Sequence, residues 1–224
     1  MDKPLNFSLI GRSGSGKGTQ AKLLLELYPK TEYIYTGDLF RDISSQDTEV
    51  GHKIKEVLKD GGLPFDDLAT TLWMHKISYK VQEGEGIMLD GTPRRLEEAL
   101  NLERFLNWLD RLDSTAFLLI DISREEAFNR LSKRRICSQC GKLIPYVGDF
   151  KSWQDCRECG GKLIERPDDI PEAINHRLDY FEKQVEPVIR HYEENSSLIR
   201  INGEQSIEDV FKDIKKALSE KFAR

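Results

Sequence analysis

A doubly wound α/β fold, with a five-stranded parallel sheet covered by helices on both faces, is what this sequence predicts. Three observations carry the prediction. Short apolar runs rich in branched and aromatic residues alternate with segments of helical period, and the first run enters the first helix through a glycine-rich turn. The 224 residues, 38% hydrophobic and 33% charged, also suffice for one well-buried core with small appended lobes. No apolar stretch approaches the roughly 20 residues of a membrane span. The opening residues, MDKPLNFSLIG, pass directly into a strand pattern without the features of a secretory signal, so a cytoplasmic protein is expected. The net charge of −5 argues against a general polyanion binder and leaves room for a local basic pocket.

Taken in order, the predicted strands are residues 7–10, 33–35, 87–89, 116–122 and 198–201. Between them, residues 17–28, 66–81, 95–109 and 124–134 read as helices, and the tail offers 171–194 and 206–222. Two segments break the rhythm. Residues 38–64 form a polar, mostly helical excursion, and residues 133–167 a stretch marked by glycine and cysteine.

The first turn reads Gly11-Arg12-Ser13-Gly14-Ser15-Gly16-Lys17-Gly18-Thr19-Gln20. Its glycines let successive backbone N–H groups turn toward phosphates, the following helix adds its positive end, and Lys17 supplies a point charge. Gly18 stands where the general pattern G-x-x-x-x-G-K-[ST] has a magnesium-binding hydroxyl.

The stretch GIMLDGTPRR, residues 86–95, sets Asp90 at the end of an apolar strand, followed by Gly91 and two arginines. An acid beside a phosphate loop is where magnesium, or a water on it, is held, and guanidinium forks match phosphate oxygens bidentately.

Cys137, Cys140, Cys156 and Cys159 read C-x2-C-x15-C-x2-C, the spacing of a tetrahedral four-cysteine zinc site. Glycine and lysine follow each pair, in CSQCGK and CRECGGK, as tight turns that aim backbone N–H groups at the sulfurs. A redox pair and an iron–sulfur cluster are the alternatives. Four thiolates leave no open position, so zinc here would be structural.

With these pieces assembled, the chain resembles the adenylate kinases, in the long form whose lid binds zinc. The matching stretches are GRSGSGKGTQ, YTGDLFR (35–41), LDGTPRR (89–95), RLSKRRICSQCGK (130–142), CRECGGKLIERPDD (156–169), RLDYF (177–181) and INGEQSIEDVF (201–211). The resemblance implies a P-loop NTPase-type fold with three parts. The core is 1–34, 66–132 and 168–224, the helical monophosphate-binding insertion 35–65, and the zinc-ribbon-like lid 133–167. It implies the reversible transfer ATP + AMP = 2 ADP with magnesium, by a monomer whose partners are ATP, AMP and ADP, not nucleic acid or membrane.

Roles carried over by position make Lys17, Arg94, Arg134, Arg166, Arg177 and Asp90 catalytic. The ATP side takes Gly14, Ser15, Gly16, Lys17, Gly18, Thr19, Arg130, Arg134, Leu143, Ile144 and Gln205. The AMP side takes Thr36, Arg41, Gly62, Leu63, Pro64, Gly91, Arg94, Glu98, Arg166 and Arg177. So many arginines around one cavity repel when it is empty, so anions are expected to be needed to close it. In the resembled family Thr19, one place later than the general pattern has its hydroxyl, is placed for a phosphate oxygen, and the metal stays largely hydrated.

The departures bear on the acceptor. Glu98 replaces a glutamine that pairs with the AMP base, Thr92 a phenylalanine, and Ser13 a proline. Ionised glutamate only accepts, so it meets the adenine N6 amino group but faces N1 lone pair to lone pair. If Glu98 reads the base, Glu98→Gln is expected to improve AMP use; if it is a solvated helix residue beside Glu97, it is not. Two alternatives therefore stand beside adenylate kinase: a monophosphate kinase with another acceptor such as GMP, and a non-catalytic zinc- and nucleotide-binding regulator.

Overall fold

The computed structural model describes residues 3–59, 62, 64–166 and 169–223. In chain order its elements are β1 (Asn6–Ile10), α1 (Lys17–Leu27), β2 (Thr31–Tyr35), α2 (Thr36–Ser44), α3 (Glu49–Lys59), α4 (Asp66–Lys80), β3 (Gly86–Asp90), α5 (Leu96–Trp108), β4 (Thr115–Asp121) and α6 (Arg124–Ser132). The second half contributes β5 (Arg135–Cys137), β6 (Leu143–Ile144), β7 (Leu163–Glu165), α7 (Pro171–Tyr180), α8 (Glu186–Glu194), β8 (Leu198–Asn202) and α9 (Ile207–Lys221). Every predicted strand and every helix before the tail is present within three residues of its expected ends.

The large sheet runs β2-β3-β1-β4-β8 with all pairs parallel. Every residue of β1 and β3 is buried, as strands covered on both faces must be. Alternate residues of β4 serve opposite faces. Phe117 and Leu119 join Ile10, Ile34 and Leu89 against Trp73, Leu102, Leu106 and Val188 of α4, α5 and α8. Ala116, Leu118 and Ile120 join Phe7, Leu9 and Met88 against Leu24 of α1 and Ile214 and Leu218 of α9. Each large side chain so buried contributes about 1.5–3 kcal/mol.

This strand order positions the site. After β1 the chain runs outward to β2 and returns for β3, while β4 adds on the other side of β1. The carboxyl end of β1 is thus where the strand order reverses, the place at which open α/β sheets bind ligands. The register pairs Leu9 and Tyr35 with Asp90, bringing all three strand ends together there.

One helix differs from expectation. The segment predicted as continuous over 171–194 is α7 and α8 joined through a wider π turn, Phe181–Val185. Pro187 stands in the first turn of α8. It has no N–H to give and its ring crowds the preceding turn, which the wider spacing accommodates.

Residues 135–165 form a separate three-stranded antiparallel sheet, β6-β5-β7, between α6 and α7. Among the described residues it contributes nothing to the hydrophobic clusters of the large sheet and its helices. Its buried residues are few: Cys137, Ile144, Cys156 and Gly161.

Candidate active site

The loop after β1 is held by its own backbone. Ser15 N–H donates to Arg12 O at 3.1 Å, and the N–H groups of Thr19 and Gln20 donate to Gly16 O at 3.0 and 3.1 Å. Gly16, the N-cap of α1, has φ 100°, a left-handed conformation that glycine adopts without strain. The first N–H groups of α1 then stand without intrahelical acceptors and carry the helix's positive end. Gly14, Gly18 and Thr19 are half-buried along this turn and Ser15 is buried.

Lys17 folds back over the loop, donating to Gly11 O at 2.8 Å and Arg12 O at 2.9 Å. Burial above all lowers its pKa to about 8; Asp90 opposes that, while the charges of Arg94 and Arg134 add to it. Asp90 is 3% exposed and accepts from the Tyr33 hydroxyl at 2.7 Å through Oδ2. Burial raises its carboxyl, outweighing Lys17 and Tyr33. Asp90 Oδ1 and Ser15 Oγ are buried with no hydrogen-bond partner among the described residues. The unpartnered Asp90 oxygen beside the loop fits a water of a hydrated divalent cation, whereas Ser15 Oγ turns toward Gly11 and the β4 side. A Cβ at Gly18 would lie 3.6 Å from Asp90 Oδ2, so glycine keeps the ground before the carboxylate open.

Sequence reasoning gave no role to Asp169, which organises the arginines. Arg134 grips it twice, Nε to Oδ2 at 2.6 Å and Nη2 to Oδ1 at 2.7 Å, and Arg177 Nη2 meets Oδ1 at 2.7 Å. Arg166 presses electrostatically on Arg134, so it belongs to the same group. The expected repulsion among these arginines is therefore partly met by an internal anion. A signal existed: Asp169 closes the stretch ERPDD, three residues past Arg166. Burial alone would raise the Asp169 carboxyl, but Arg134 and then Arg177 hold it below its ordinary value. With the folded pKa below the unfolded value of about 3.9, its stabilisation is complete above that value and lost as pH falls through the folded pKa. In thermal melts, the stability gap between the wild type and Asp169→Asn should be open at neutral pH and close in acid.

A second pocket opens between α2, α4 and the turn after β3, lined by Thr36, Pro64, Gly91, Arg94, Glu98 and Tyr180 among others. Gly91 has φ 75°, and an added Cβ would meet the Arg94 guanidinium at 2.9 Å, so glycine lets Arg94 fold across its own turn. Arg94 Nε donates to Gly91 O at 2.7 Å. Thr36 hydrogen-bonds through its hydroxyl to that of Thr92.

Glu98 is 7% exposed, so of its two readings the solvated helix residue is the one the structure sets aside. It accepts the indole N–H of Trp73 at 3.1 Å through Oε1 and the Arg94 N–H at 2.7 Å through Oε2. Burial pushes its carboxyl up, against the pull of Arg94, Trp73 and Thr92. Arg41 lies outside this pocket's lining, paired with Asp38 and 5.2 Å from the Tyr35 ring centre. Gly62 donates its N–H to Val57 O at 3.0 Å; Leu63 lies outside the described residues.

On the other side of the loop, Arg130 is buried, its Nε on Glu126 Oε1 at 2.6 Å and its Nη2 on Gly203 O at 2.9 Å. Gln205 donates to Asn202 O at 3.0 Å and Asp213 Oδ2 at 2.8 Å. In the small sheet Leu143 is 39% exposed, while Ile144, at 1%, packs inward.

The four cysteines are free thiols whose sulfurs all lie within 4.8 Å of one another. Cys137 and Cys159 approach to 3.4 Å, Cys140 and Cys156 to 3.7 Å. The two turns are alike: Gly141 N–H returns to Cys137 O at 3.1 Å and Gly160 N–H to Cys156 O at 2.7 Å. Backbone N–H groups face the sulfurs, and that of Cys140, first among them, pulls the Cys137 thiol down to about 6. Four sulfurs gathered in this way fit a tetrahedral ion such as zinc.

No helix among the described residues is long and apolar enough to cross a membrane. Residues 9–197 match the family model described as adenylate kinase. The chain is 38% identical over 219 residues to the adenylate kinase of Clostridium acetobutylicum, covering 96% of this chain and 100% of that protein. It is 37% identical over 211 residues to that of Petrotoga mobilis, covering 94% and 95%, and 37% identical over 216 residues to that of Listeria monocytogenes, covering 96% and 99%. With the glycine-rich loop, the neighbouring pocket and the strand order on which both are built, these matches show that the chain belongs to the adenylate kinase family.

Proposed function

We propose that this chain, acting as a cytoplasmic monomer, transfers the γ-phosphoryl of magnesium-ATP to AMP and, in reverse, makes ATP and AMP from two ADP. The observation that carries this reading is the place of Arg94. It lines the acceptor pocket, yet its charge also reaches Lys17 on the phosphate loop. One guanidinium thus serves both sides of the transfer. Nothing in the fold or the comparisons favours the two alternatives, a different acceptor or a regulator without activity.

In this reading the loop from Gly14 to Thr19 and the Lys17 ammonium hold the ATP phosphates. Arg130 and Gln205, with Leu143 and Ile144 of the lid, border the ATP base. Thr36, Arg41, Gly62, Leu63, Pro64, Gly91 and Glu98 receive AMP. An AMP phosphate oxygen attacks the γ-phosphorus as the bond to the β–γ bridging oxygen breaks. Both groups are anions, so the protein need move no proton; it aligns them and neutralises the migrating charge. Asp90 would support a hydrated magnesium, which neutralises charge across the phosphates when bound. Phosphates would draw Arg134 and Arg177 from Asp169, exchanging an internal carboxylate for the substrate's oxygens.

Arg134 and Arg166 lie at the two ends of the proposed lid, 133–167, which folds over the core as a unit separate from the acceptor insertion, 35–65. Its closure brings in arginines and excludes water, which would otherwise take the phosphoryl. The four cysteines hold structural zinc.

Polyphosphate draws the Lys17 pKa back up, so binding above about pH 8 requires proton uptake. The KM for ATP should rise as pH climbs past that point, and Lys17→Met should lose the dependence. The reading itself is tested by incubating the protein with magnesium-ATP and AMP, GMP, CMP or UMP in turn. Rapid formation of ADP with AMP is expected, and no turnover with any of the four would refute it.

A further inference from the structure

Glu98 and Thr92 depart from the pattern of the resembled family, and the structure joins them, through Trp73, in one unit. Trp73 on α4 is fully buried, and its indole N–H donates to one carboxylate oxygen of Glu98. The Arg94 N–H donates to the other, and the hydroxyl of Thr92, itself fully buried, reaches the same carboxylate. Each oxygen of Glu98 therefore already faces an N–H donor. A glutamine here has only one oxygen, so its NH2 would confront either the indole N–H or the Arg94 N–H, donor against donor. Trp73 thus excludes the glutamine, and glutamate is the residue that fits.

We propose that Trp73 is a specificity-determining positioning residue, clamping Glu98 as an acceptor-only reader that takes a hydrogen bond from the amino group of the acceptor purine and leaves ring nitrogen N1 unread. This rests on the reading that Glu98 faces the acceptor base, as its place in the pocket lining supports. The carboxylate keeps further lone pairs for the 6-amino group. It has no proton for N1, and facing that lone pair costs affinity. Glu98→Gln alone is then expected to weaken AMP use, reversing the expectation drawn from the sequence.

The test uses the unmodified protein first, with two AMP analogues as acceptors. The monophosphate of 1-deazaadenosine, which has C–H in place of N1, should be used at least as well as AMP. A KM about tenfold higher, the cost of one lost hydrogen bond, would overturn the proposal, because a proton on Glu98 would then be reading N1. Purine riboside monophosphate, which lacks the amino group, should lose about tenfold in KM. If it matches AMP, Glu98 does not read the base, and the proposal falls while the phosphotransferase reading stands.

The role of Trp73 is read from a double-mutant cycle. Glu98→Gln and Trp73→Phe should each raise the KM for AMP about tenfold, with the KM for ATP unchanged. The pair together should do less harm than the product of the two, because removing the indole N–H frees the NH2 of glutamine. Strictly multiplicative effects would overturn the clamp. Should Trp73→Phe fold poorly, the indole N–H resonance of Trp73 in the unmodified protein gives the answer. It should shift with AMP and not with ATP, and an unchanged resonance with AMP would count against the proposal.

Discussion

Lys17→Met is expected to lower kcat by roughly a hundred- to a thousandfold, the usual effect of removing one preorganised charge from a developing anion. Methionine keeps most of the stem and removes the ammonium that donates to Gly11 O and Arg12 O. Each of these hydrogen bonds contributes about 1 kcal/mol net, and relief from burying a charge offsets part of the loss. The melting temperature should therefore move by only a few degrees. Steady-state kinetics at saturating ATP and AMP, paired with a thermal melt, check both halves. A variant with wild-type kcat would remove Lys17 from the transferring phosphoryl.

Stripping the metal is expected to have the other large effect, and to have it locally. Among the described residues, the segment built on β5, β6 and β7 adds nothing to the hydrophobic clusters of the large sheet and its helices, and buries few residues of its own. It is too small to hold itself together, whereas a structural four-ligand zinc supplies an apparent binding energy of about 10–16 kcal/mol in small domains. A chelator should therefore abolish nearly all turnover and add a separate low-temperature transition in calorimetry, with the transition of the large sheet little moved. Elemental analysis should find one zinc per chain, and Cys140→Ser should reproduce the chelated state. A metal-free protein of equal stability and activity would contradict the four-thiolate reading.

The sequence made the frame of this molecule legible wherever the signal was local. Strands buried on both faces read as apolar runs, the glycines and lysine of the loop carry their chemistry in their spacing, and the cysteine pairs announce a shared ion. What it concealed depended on partners brought from far along the chain. Glu98 sits beside Glu97 at the start of α5 and reads equally as surface or as a contact to the base; its indole partner Trp73, 25 residues earlier, gives no signal in the sequence. Asp169 resembled one acid in a charged run, because its partner Arg134 lies 35 residues away. The break in the tail helix was visible as Pro187, yet proline in a helix signals a disturbance without specifying that a π turn absorbs it.

Direct transfer between two nucleotides on one protein unites the loop and the pocket in one reaction. It is tested most directly by giving the protein magnesium-ATP labelled in the γ-phosphorus together with unlabelled AMP. The label should appear in the β-phosphoryl of the ADP formed from AMP, with two ADP made for each AMP consumed and almost no label released as inorganic phosphate. Label released chiefly as inorganic phosphate, or ADP formed without AMP being consumed, would contradict it.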